Sequence, residues 1–152
     1  MACSQSIRID TCNWQRDQAT LRGIRAEVFI GEQRVPVELE WDDLDDVATH
    51  FLIYLDDQPI GCARVIPGKF NHAAEHRAYI GRMAILKPYR NRGFGESLLK
   101  SLVDYCRHQG FAEIVLHAQC HAINFYQRLG FVPEGDIFMD AGIEHRTMRC
   151  TL

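Results

Sequence analysis

The chemistry-bearing residues of this chain crowd one place, the segment YRNRGFGESLLKSLVDYC that runs from Tyr89 to Cys106. Two arginines and two glycines, Arg90, Arg92, Gly93 and Gly95, stand at the mouth of a helical pattern. The first N–H groups of a helix have no acceptor within it, and the aligned peptide dipoles add partial positive charge. Glycine lets the backbone approach an anion closely, and arginine adds charge-assisted hydrogen bonds. The string Arg90-x-x-Gly93-x-Gly95 therefore suits a phosphate group. Two better-known glycine motifs do not fit. Walker A needs Gly-Lys-Ser/Thr where Gly95 is followed by Glu96, and the dinucleotide fingerprint needs a third glycine where Leu98 stands. A left-handed glycine turn with solvated arginines accounts for the same string.

Arg82 lies alone in the apolar run YIGRMAIL, and a buried arginine requires a partner because desolvating an unpaired charge is expensive. Two readings stand side by side: an internal salt bridge to Glu40 or Asp42, or a clamp for an anionic ligand. The seven histidines also raise a metal reading, with His117, Cys120 and His121 as one set and His72 with His76 as another. Neither set has a fourth ligand at sensible spacing, so no metal is expected.

These residues need a scaffold, and 152 residues suffice for one domain with a real core. The net charge of −3 gives the whole chain no attraction to nucleic acid or to an anionic membrane. No apolar run approaches the roughly 20 residues that span a bilayer. MACSQSIRID lacks the apolar centre of a signal peptide, which points to the cytoplasm. The six cysteines are scattered, form no CxxC and read as free thiols of a reducing compartment.

SIRIDTCNW alternates as a first strand, and Leu21, Ile24 and Val28 share one face of a helix expected over 17–30, stopped at Gly31. GEQRVPVELEWDDLDD is irregular and acidic. HFLIYLDDQPIGCARVIP reads as a hairpin about DDQP, and YIGRMAIL as a central strand closed by Pro88. Phe94, Leu98, Leu99, Leu102 and Cys106 recur at helical spacing up to Gly110. AEIVLHA is the next strand and HAINFYQRLG a short helix, before FVPEGDIFM and EHRTMRCTL finish as a strand pair. The order is that of an α/β protein with a mixed sheet.

RNRGFGESLL after IGRMAIL, followed a strand later by INFYQRLGF, resembles the GNAT superfamily of acetyl-CoA-dependent N-acetyltransferases, and in particular its small ElaA-like bacterial members. The resemblance covers nearly the whole chain. It implies a mostly antiparallel sheet of six to seven strands with flanking helices and a splayed central pair. Met83, Ala84 and Ile85 would then offer backbone amides to the pantetheine arm of acetyl-CoA. Arg90, Asn91, Arg92, Gly93, Phe94, Gly95, Glu96 and Ser97 would hold its pyrophosphate. Tyr126 matches the tyrosine beside the cofactor sulfur, where a phenol can protonate the leaving thiolate; an aromatic plug between helix and sheet is the other reading. Many members have a cofactor-contacting asparagine where this chain has Gln119, and Asn124 lies near enough to substitute.

On the acceptor side, an amine must lose a proton to react. His145, in GIEHRTM, is the first choice for the base, because imidazole titrates near neutrality and the segment resembles that of the glyphosate N-acetyltransferases. A histidine on the surface of a terminal strand is the plainer reading, and Glu32 is the second candidate for the base. By the same resemblance Arg82, assisted by Arg25, would clamp an anionic acceptor, while the acidic loop ELEWDDLDD suits a cationic one. The resemblance thus implies acetyl transfer from acetyl-CoA to a primary amine of a small molecule, with no nucleic-acid or membrane partner and a homodimer open through sheet edges or helices. A protein-lysine or N-terminal acetyltransferase, or a non-catalytic acyl-CoA-sensing module, is the alternative.

Overall fold

The computed structural model describes residues 4–152; Cys3 lies outside them. Seven strands form one sheet: β1 (Ile7–Cys12), β2 (Thr49–Leu55), β3 (Gln58–Pro67), β4 (Arg77–Ile85), β5 (Glu113–Gln119), β6 (Val132–Asp140) and β7 (Ile143–Thr151). Their order is β1-β2-β3-β4-β5-β7-β6, and every neighbouring pair except β4–β5 is antiparallel. Helices α1 (Trp14–Arg25), α2 (Val37–Glu40), α3 (Phe94–His108) and α4 (Ile123–Gln127) flank it. The expected mixed, mostly antiparallel architecture is the one observed.

Side chains alternate across a strand, so β2 feeds two cores. Phe51, Ile53 and Leu55 join Leu98, Leu99 and Leu102 of α3 on one face, and Leu52 joins Trp14, Leu21 and Ile24 of α1 on the other. Each fully buried leucine contributes about 2 kcal/mol. Gly61 lets β3 and β4 meet at the first of these cores: a Cβ there would stand 2.6 Å from the Ile85 side chain and 2.7 Å from the Ala84 carbonyl oxygen.

Helix α1 starts before the expected Asp17. Asn13 caps it, accepting from the N–H groups of Gln15 (2.8 Å) and Arg16 (3.3 Å). The helix does not stop at Gly31. It widens into a π-helical segment, Ala26–Glu32, which buries Val28 and Phe29.

The parallel pairing of β4 with β5 covers three residue pairs, Arg77–Glu113, Ala78–Ile114 and Tyr79–Val115, and then stops. Beyond it β4 stays with β3, β5 stays with β7, and the strands diverge as the expected splayed pair. A register shift opposite Cys62–Arg64 places one extra residue in β4, so Arg82 and Met83 bulge together. Arg82 takes φ +52°, which costs a non-glycine residue about 1–3 kcal/mol and requires firm anchoring.

Candidate active site

A cleft of about 680 Å³ opens where β4 and β5 part; Met83, Ala84 and Ile85 form one wall, with Gln119, Tyr126 and His145 across from them. From Ile80 onward the β4 edge facing β5 has no ladder partner, so backbone groups of this strand are offered to the cleft.

At the end of β4 a short 3-10 turn, Lys87–Tyr89, leads into the glycine turn. Asn91 (φ +62°) and Gly93 (φ +84°) are both left-handed there. Gly93 is the N-cap of α3 and supplies no capping side chain. The first helical bond is from the Ser97 N–H to the Gly93 carbonyl at 3.1 Å, leaving the N–H groups of Phe94, Gly95 and Glu96 without an acceptor among the described residues. A Cβ at Gly93 would meet nothing within 4 Å, so the space outside the turn is open. Three free N–H donors at a helix start fit a pyrophosphate. The donors are backbone groups: the Phe94 side chain is buried, and Glu96 pairs with Lys100 at 3.2 Å. Arg92 reaches Gln5 at 2.9 Å and covers the Phe94 ring.

Tyr126 lies on α4, between the rings of Phe125 and Phe131, with its hydroxyl donating to Met83 Sδ at 3.8 Å. Burial pushes its pKa up to about 12, so the phenol keeps its proton. His145 is buried, not at the surface, and its Nδ1 lies 2.7 Å from the Ile143 carbonyl oxygen. A carbonyl accepts only, so Nδ1 carries a proton, and in the neutral ring Nε2 is then the acceptor. Asn124 is exposed on α4.

The arginines expected at the acceptor are already engaged. Arg25 binds Glu40 (2.8 Å) and Asp45 (2.7 Å); Arg82 binds Glu40 (2.9 Å) and Asp42 (3.1 Å); Arg64 binds Asp45 (2.9 Å) and Asp42. The six side chains close a ring of alternating charge. Arg25 is only 1% exposed, which removes it from the acceptor surface. For Arg82 the salt-bridge reading holds, with both expected partners, and two carbonyl oxygens (Leu39 and Glu40) complete its anchoring. Burial alone would raise the Asp42 pKa, but hydrogen bonds and charge from Arg64, with Arg82 behind, hold it at about 2.

Glu32 is likewise occupied. Both its oxygens accept from Arg90, at 2.8 and 2.9 Å, while Arg90 Nε donates to the Ile85 carbonyl at 2.8 Å. A carboxylate held on both oxygens is poorly placed to act as a base, and Arg90, with three of its five N–H donors in these bonds, has two left for a phosphate. Beside this pair, the side chains of Gln33 and Gln119 exchange hydrogen bonds of 3.1 and 2.7 Å, which occupies Gln119. Neither bridge was anticipated from sequence, nor was Arg64. Arg64 did carry a signal, since it interrupts the apolar run IGCARVIP just as Arg82 interrupts its own.

Residues 10–131 match the acetyltransferase (GNAT) family, and the chain belongs to it: this is an acyltransferase. It is 36% identical over 128 residues to the protein YyaT of Bacillus subtilis (strain 168), covering 82% of each chain. ElaA of Escherichia coli (strain K12) is 31% identical over 124 residues, 80% of this chain and 79% of that one, in keeping with the ElaA-like resemblance. Among solved structures, an acyl-CoA N-acyltransferase from Pseudomonas aeruginosa has a TM-score of 0.82 at 26% identity, covering 97% of this chain and 100% of the other. No helix among the described residues is long and apolar enough to cross a membrane.

Proposed function

We propose that this chain moves the acetyl group of acetyl-CoA to a primary amine of a small molecule, the amine attacking directly while both substrates are bound. Acetyl-CoA supplies an acetyl group activated as a thioester. The N–H groups of Phe94, Gly95 and Glu96 bind the pyrophosphate, assisted by the left-handed backbone at Asn91 and Gly93. The unpaired edge of β4 over Met83, Ala84 and Ile85 binds the arm and presents N–H donors to the carbonyl oxygen as charge builds on it. A donor so placed contributes on the order of 3 kcal/mol to the barrier. His145 Nε2 takes the proton of the attacking amine, and the Tyr126 hydroxyl gives its proton to the departing sulfur.

The observation that carries this reading is the Nδ1 hydrogen bond of His145, which leaves Nε2 as the acceptor of the neutral ring in the same cleft as the protonated phenol of Tyr126. Titration calorimetry of acetyl-CoA against the wild type and Gly93→Trp, followed by thiol release with a panel of amines, tests it. Binding that the bulky residue abolishes while the fold survives supports the cradle. Absence of acetyl-CoA binding by the wild type overturns the reading.

A further inference from the structure

The charges in the acceptor half of the cleft narrow the class of amine it suits. Three arginines line the cleft, Arg64, Arg82 and Arg90, and each is held by carboxylates of the protein itself. Within the charge ring every guanidinium spans two carboxylates, so the ring has no excess positive charge to offer an anion. Three carboxylates of the acidic loop, Glu40, Asp42 and Asp45, and the arginines, which point to opposite acceptors in the sequence, neutralise each other in the fold.

Among the described residues the one cleft carboxylate outside the charge ring is Asp140, and rings stand beside it. Asp140, at the end of β6, lines the cleft, is exposed, and has no ion-pair partner among the described residues. Next to it the rings of Tyr79, His117 and His145 line the cleft, and Phe138, outside the lining, packs against the two histidines. Tyr79 stacks on His117 at 6.5 Å, His117 meets Phe138 edge-on at 5.3 Å, and Phe138 stacks on His145 at 5.8 Å. Desolvation, and then the neighbouring His145, hold the His117 pKa below its ordinary value, so His117 presents a ring more than a charge. Glu38, Asp43 and Asp46 are exposed carboxylates outside the ring, and neither they nor the exposed Arg34 line the cleft. A carboxylate beside π-faces attracts a cation and repels an anion.

Resting on the amine-acetyltransferase reading above, we infer that the acceptor is an aliphatic amine bearing a second positive charge and no carboxylate or phosphate, its distal ammonium held by Asp140 and the stacked rings of Tyr79 and His117. The reacting amine then lies toward His145 and the far one toward the rim.

Putrescine, n-butylamine and γ-aminobutyrate share a four-carbon chain and differ only in the group opposite the amine, so they test the inference directly. The expected order of kcat/KM is putrescine, then butylamine, then γ-aminobutyrate, with roughly tenfold between the first two. Asp140→Asn lowers the putrescine-to-butylamine ratio about fivefold, and Asp140→Lys shifts preference toward γ-aminobutyrate. Calorimetry of acetyl-CoA accompanies each variant. Preference for γ-aminobutyrate by the wild type overturns the inference, as does a putrescine-to-butylamine ratio that Asp140→Asn leaves unchanged. If acetyl-CoA binds and none of the three amines is acetylated, the substrate class is wrong and the cofactor reading stands. If acetyl-CoA does not bind, the broader reading fails first.

Discussion

Glu32 holds both terminal nitrogens of Arg90, one on each carboxylate oxygen, and so ties the π-helical segment after α1 to the far end of β4. Both side chains are about one-third exposed, and the pair stands where the glycine turn begins. Removing the carboxylate frees a guanidinium beside the proposed phosphate site and deletes a negative charge from it. Glu32→Ala is therefore expected to tighten acetyl-CoA binding by about two- to fivefold, more at low salt. Calorimetry at two ionic strengths checks this, and looser binding would show that the tether matters more than the charge.

His145 is expected to act at the acceptor and not at the cofactor. His145→Ala should lower kcat by about a hundredfold or more while leaving the affinity for acetyl-CoA near that of the wild type. Steady-state thiol release alongside calorimetry separates the two effects. Equal losses in both would mean that the imidazole holds the cleft together.

Tyr126 should act as an acid across the whole accessible pH range, because burial pushes its pKa up to about 12. Tyr126→Phe removes the proton and keeps the ring, so kcat is expected to fall about a hundredfold. The shape of the pH–rate profile below about pH 10 should not change, since the phenol does not titrate there. An alkaline limb that disappears with the hydroxyl would refute the assignment.

The charge ring predicts both a large mutational effect and an acid transition. Arg25→Met leaves Glu40 and Asp45 each short of a partner in a buried place, and should cost about 3–5 kcal/mol by urea unfolding. Asp42 has a folded pKa of about 2, below the unfolded value of about 4. Its contribution is therefore complete above about pH 4 and is lost as pH falls from there toward 2. Asp45, also held low despite its burial by Arg25 and then Arg64, acts in the same direction. Urea midpoints at about pH 7, 4 and 3 should decline mainly over the last interval.

Period and punctuation made the sheet legible. The hairpin turned where DDQP placed it, with Asp56 and Asp57 both left-handed, and the apolar face of α3 was buried at the spacing read. The start of α1 was misplaced because Asn13 caps it from within a strand-like run, a local hydrogen bond that periodicity does not carry. The glycine turn could be read as a turn because consecutive residues make it, with Gly93 left-handed at the start of α3. The acceptor side could not. Arg25, Arg64 and Arg82 come from three separate segments, and whether each meets a ligand or a carboxylate depends on how those segments cross. Glu32 shows the same limit: its partner Arg90 is 58 residues away.

The three rungs between β4 and β5 have one more implication. Strands β1 to β4 and strands β5 to β7 are fastened to each other along a seam no longer than Arg77–Tyr79, and past that seam the main chain has amide and carbonyl groups with no neighbour to close on. An extended amide-bearing molecule laid into the gap would supply the missing rungs from both sides. The protein alone is a book held open at its spine, its one sheet continuous only through those three rungs.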